Sequence, residues 1–90
     1  MKYVYPSVFH ANEDGSYTIT FPDLHGCISE GKSLPEAMEW AQSALSECLQ
    51  LMLDEGEAIP PASSIKAIKT ESDAEFVTLI CVEAPLENVA

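Results

Sequence analysis

The chain contains no arginine, and its four lysines (Lys2, Lys32, Lys66 and Lys69) face fifteen acidic residues. The formal net charge at pH 7 is -11. A surface that holds DNA or RNA needs clustered positive charge to replace the counterions of the phosphates. This balance argues against direct nucleic-acid binding by the chain alone. It suits a basic protein partner, because opposite fields speed encounter and suppress wrong pairings. Cysteine is also scarce: Cys27, Cys48 and Cys81 are odd in number, with no Cys-x-x-Cys and no Cys/His group of zinc spacing. Neither a disulfide framework nor a metal centre is expected, nor any cofactor; three buried free thiols in a reducing compartment are. No apolar run approaches the ~20 residues that span a bilayer. The start of the chain lacks a basic stretch leading into an apolar one, so no signal peptide is expected. The chain reads as soluble and cytoplasmic, without membrane contact.

What remains is short and apolar-rich. Ninety residues form one domain, expected to occupy 1–83 with a short tail at 84–90. A domain this small hides only roughly 60–65% of its unfolded surface. With 47% apolar residues, it has more hydrophobic side chain than one such core absorbs. Self-association to a dimer or tetramer is therefore expected.

The patterning predicts β-β-β-α-β. Residues 2–11 carry Tyr3, Tyr5 and Phe9 on one face and Val4 and Val8 on the other, which reads as a mostly covered strand. Pro6 within it argues for a bulge or an edge position. A turn with Gly15 leads to a second strand, 17–21, in which Tyr17, Ile19 and Phe21 alternate with threonines. A hinge at 22–26 precedes a short third strand at 27–30. Ser33 is an N-cap candidate, and Glu36 three residues on completes a capping box with the Ser33 amide. The helix is expected to run to about Glu55, ended by Gly56. Its apolar arc is Leu34, Met38, Ala41, Leu45, Cys48, Leu49 and Met52, with Trp40, Ala44 and Leu51 widening one flank. Residues 65–68 suggest a short strand, and the apolar run 76–82 suggests a central, buried one. One helix on one face of a small antiparallel-dominated sheet is an α+β fold.

The order and spacing of Phe21-Pro22-Asp23-Leu24-His25-Gly26-Cys27, Gly31-Lys32-Ser33-Leu34-Pro35-Glu36-Ala37, Gly56 and Ile59-Pro60-Pro61 resemble the HicB family. HicB proteins are the antitoxin half of a prokaryotic toxin–antitoxin pair. The resemblance implies a partial RNase H-like domain, with Pro22, Gly26, Gly31, Ser33, Glu36, Gly56 and Pro60 as its structural signature. It implies a small basic HicA-type toxin as partner, an RNA-cleaving protein neutralised when its active site is masked. Longer family members add a C-terminal DNA-binding domain, which this sequence does not show. Many members carry proline where this chain has His25.

Candidate toxin-contacting residues follow from position alone: Asp23 and His25 in the hinge, Glu30 beyond it, and Trp40 on the helix flank. Each has a plainer reading. Asp23 caps amides of the hinge, His25 is a surface histidine, and Trp40 packs in the core. Catalysis is not expected. His10 and His25 have no triad partner at a suggestive spacing, and Gly31-Lys32-Ser33 lacks the rest of a phosphate loop. Two-metal phosphodiester hydrolysis needs several converging carboxylates. Only Asp23 and Glu30 offer themselves within the signature, without a positive cradle. The rival readings are a solitary homo-oligomeric HicB-like module and, less favoured, a residual nuclease.

Overall fold

The computed structural model describes residues 2–83. Four strands and one helix follow in the order β1 (Lys2–Ala11), β2 (Tyr17–Thr20), β3 (Ile28–Gly31), α1 (Leu34–Asp54) and β4 (Glu75–Glu83). The sheet is antiparallel throughout, with strand order β3-β2-β1-β4. α1 covers one face. The α+β class and the element order stand as predicted; the expected tail at 84–90 lies outside the described residues.

The helix ends are set by local chemistry. Ser33 Oγ accepts from the Glu36 amide at 3.3 Å, which satisfies one of the donors a helix start leaves open. The Glu36 carboxylate reaches one residue further than a capping box requires and accepts from the Lys32 amide instead of that of Ser33. At the other end Gly56 takes φ 71. Its amide bonds the Leu53 carbonyl while the Glu57 amide bonds that of Met52. These two bonds make a Schellman stop.

The buried stripe of α1 is Ala37, Ala41, Leu45 and Leu49, a strict i, i+4 series. It is narrower and rotated relative to the predicted arc. Leu34 and Met38 are exposed, Cys48 and Met52 are partly buried, and Ala37 replaces them at the tightest point. The cause is Gly31. A Cβ there would sit 2.4 Å from the Ala37 nitrogen and Cα, so strand and helix meet backbone to backbone where only small residues fit. Beyond that point Leu45 and Leu49 close on Tyr5, Phe9, Ile19 and Ile80, each fully buried leucine contributing about 1.5–3 kcal/mol.

The structure differs from expectation at the sheet's far side. β4 is an edge strand, not a central one; its apolar run is two-sided, but only Ile80 and Val82, on the α1 face, are buried. Leu79, on the other face, is 50% exposed. β1 is an interior strand, and it carries Pro6 without a bulge, since its register with β4 advances evenly from Lys2↔Glu83 to His10↔Glu75. The Ala11 amide bonds the Ala74 carbonyl in phase with that register. Odd-numbered β1 residues therefore bond β4, and even-numbered ones, Pro6 included, turn toward β2. β2 stops at Thr20, opposite Val8. Pro6 thus lies one step past the end of that pairing, where its missing N–H interrupts no ladder. Residues 65–67 form a 3-10 turn capped by Ser64, not a strand. Of the cysteines only Cys27 is buried; Cys48 is half-buried and Cys81 exposed.

A candidate protein-binding groove

The two halves of the signature serve different ends. In the hinge, Leu24 and Cys27 are buried, while Gly26 adopts φ 81 to turn the chain into β3. Asp23 does not cap this hinge. Its carboxylate accepts from the Ser63 amide at 2.8 Å and the Ser63 hydroxyl at 2.6 Å, forty residues along the chain. Beside it the Tyr5 hydroxyl donates to the Pro60 carbonyl. These contacts latch the segment after α1 to the sheet, which accounts for Ile59 and Pro60 in the signature. Burial first, and the Asp23 charge second, push the Tyr5 phenol's pKa above its ordinary value. Asp23→Ala is expected to remove both Ser63 bonds and lower stability by about 1–3 kcal/mol. A thermal melt matching the parent protein would show that the latch carries no weight.

Cys27 is walled in. Its thiol donates to the Ala44 carbonyl at 3.5 Å. Burial, followed by the neighbouring Cys48, drives its pKa far above the usual thiol range. Since the thiolate is the nucleophile, Cys27 is expected to resist iodoacetamide in the native state at neutral pH and to react once denatured. Rapid native labelling at Cys27 would contradict this packing.

The open chemistry lies at the start of α1. Ser16, Glu30, Gly31, Lys32, Glu36 and Trp40 line a shallow groove of about 320 Å³. Trp40 is 53% exposed, which corrects its reading as a core residue. α1 lies over β3, the last strand on this side, and Ser29 Oγ donates to the Trp40 carbonyl at 3.4 Å. A side chain on that flank stands at the sheet edge and stays half open to solvent. Two carboxylates and an indole face here outnumber the single cation of Lys32, an arrangement suited to a basic group approaching an aromatic face. Of the four candidate contact residues, the structure brings Glu30 and Trp40 together in this groove. Asp23 and His25 stay in the hinge, Asp23 half-buried on Ser63 and His25 exposed. Sequence reasoning did not place Ser16 and Glu36 in the groove. Ser16 arrives through the β2–β3 pairing of Tyr17 with Gly31, a non-local contact.

Among the described residues, no group of three or more His, Cys, Asp and Glu is placed to hold a metal ion. No helix among them is long and apolar enough to cross a membrane.

Known proteins share this architecture. A chain of a toxin–antitoxin complex from Streptococcus pneumoniae superposes with a TM-score of 0.82 at 16% identity, covering 100% of this chain and 78% of that one. The N-terminal domain of the Burkholderia pseudomallei antitoxin HicB superposes with a TM-score of 0.76 at 21% identity, covering 91% of this chain and all of that one. At these identities the likeness is one of fold. By sequence, Antitoxin HicB 1 of Photorhabdus laumondii is 32% identical over 62% of this chain. The chain spans 36% of that relative's length, and 64% of a Haemophilus phage HP1 protein that is 29% identical over 96% of the chain. The family described as HicB-like antitoxin of bacterial toxin–antitoxin systems matches residues 5–90. By that match the chain belongs to the HicB-like antitoxin family.

Proposed function

We propose that this chain neutralises a small basic HicA-type toxin by binding it stoichiometrically and masking the surface with which it holds and cleaves RNA. Its role is that of a binding protein, not an enzyme. The observation that carries the reading is the groove at the start of α1, where Glu30 and Trp40 are exposed beside the Glu36 carboxylate in a domain of net charge -11. Carboxylates there stand where RNA phosphates would otherwise meet the toxin's cations. The long-range field steers the encounter, and the indole supplies buried area once the partner is seated.

The test takes as partner a short basic protein sought among the genes flanking this one. Its RNA cleavage is titrated with the purified chain, and inhibition complete at a fixed molar ratio is expected. Full RNA cleavage in the presence of excess chain would overturn the proposal. A second reading, a self-associating module without a toxin, draws support from the uncharged strand edge on the opposite side of the sheet.

A further inference from the structure

β4 is the longer of the sheet's two edge strands. Its even-numbered residues bond β1, so the backbone N–H and C=O groups of Val77, Leu79 and Cys81 point away from the sheet. Among the described residues one contact reaches them, the Gln42 side-chain amide on the Cys81 carbonyl at 3.3 Å. Several devices that normally blunt an edge are missing here. The strand has no proline, lysine or arginine, and no bulge interrupts its even register. Leu79 and Cys81 lie exposed beside exposed Val4, which pairs with Cys81.

Charge selects the occupant. The run from Phe76 to Val82 carries no ionisable acid or base apart from the Cys81 thiol. Of the acids at its two ends, Glu75 lies 3.1 Å from the His10 imidazole, and Glu83 is in register with Lys2. In a chain of net charge -11, this is a place where two copies can approach without opposing carboxylates. A basic partner gains nothing from a neutral edge and is drawn to the acidic groove on the far side.

We infer that two copies of this chain pair through β4, antiparallel across a two-fold axis, to form one continuous eight-stranded sheet. The open amides of Val77 and Leu79 become inter-subunit hydrogen bonds, and Leu79, Cys81 and Val4 pack against their counterparts. This pairing does not depend on the toxin-binding proposal, because the groove lies at the β3 edge and stays open in the dimer.

Amide hydrogen exchange of the full chain, followed from dilute to concentrated protein, reads the pairing directly. Exchange at Val77 and Leu79 is expected to slow by about tenfold or more between about 1 and 100 μM, as light scattering moves from monomer to dimer. Leu79→Pro removes an outward N–H that β1 does not use, and Leu79→Lys places a charge on the edge. Both are expected to weaken association by about tenfold or more. Trp40→Lys, on the other side, leaves it unchanged. If Leu79→Pro fails to fold, Leu79→Lys and the exchange data decide. A monomer at about 100 μM with fast Leu79 exchange overturns the inference. So does a dimer that survives Leu79→Lys, or one broken by Trp40→Lys. Protection of Leu79 that appears only when the basic neighbour protein is added assigns the edge to that partner and also overturns it.

Discussion

Gly31→Ala is expected to cost about 3 kcal/mol or more, lowering the melting temperature by roughly 12–24 °C. The reason is space and not backbone strain. The added methyl would sit 2.4 Å from the nitrogen and Cα of Ala37 and 2.8 Å from its Cβ. All three atoms belong to Ala37 in the first turn of α1, two of them backbone, and the Ser33 and Glu36 caps hold that turn in place. No side chain can rotate away. The whole helix has to lift from β3, loosening Ala41 and Leu45 behind it. For a small domain with a few kcal/mol in reserve, that is a large share of its stability. Gly15→Ala makes the useful contrast. Gly15 has φ 91 but nothing within 4 Å, so it loses only the roughly 1–2 kcal/mol of a left-handed backbone. Equal melts for the two variants would mean that the approach of β3 to α1 is softer than the structure has it.

The second large effect concerns the groove. Glu30→Lys reverses a charge on an exposed residue beside Trp40. With the basic neighbour protein, it is expected to slow association by about tenfold at low salt and much less at high salt. Trp40→Ala is expected to act on dissociation, weakening the complex by about 2 kcal/mol or more. It should move the thermal melt little, since half of the indole already faces water. Asp23→Asn gives the opposite pattern, a lower melt with association unchanged, because its carboxylate is engaged with Ser63. Stopped-flow kinetics at two salt concentrations, paired with melts, separate the three. An association rate indifferent to both Glu30→Lys and salt would sink the charge-steering mechanism.

The parts of this fold that were readable in the sequence are those written in short-range chemistry. The Ser33 cap, the Gly56 stop, the Gly15 turn and the alternation from Tyr17 to Phe21 each depend on neighbours within a few residues. The errors came where the answer depends on residues far along the chain. An apolar run at 76–82 looks the same whether two layers cover it or one, so its edge position could not be read from its own composition. Pro6 could be placed only once it was known that β2 stops opposite Val8. Gly31 and Pro60 stood out as signature positions, but their reasons are the Ala37 backbone in one case and the Tyr5 hydroxyl in the other. In the groove, Glu30 and Trp40 were legible as an acid and an aromatic near the helix start. The separation of Asp23 from them was not, because its partner lies at Ser63.

The register of Lys2 with Glu83 also dictates an order of assembly. Among the described strands β1 comes first along the chain and its neighbour β4 last, so β1 lacks one partner until β4 has been made. The β1–β2 hairpin and α1 involve short loops and can form early, on a microsecond scale. Closing the sheet then means bringing residues about seventy apart into line, a step whose entropy is lost before any contact repays it. The ladder between the first and last strands thus sets the pace of folding, while the capped helix waits on an unfinished sheet.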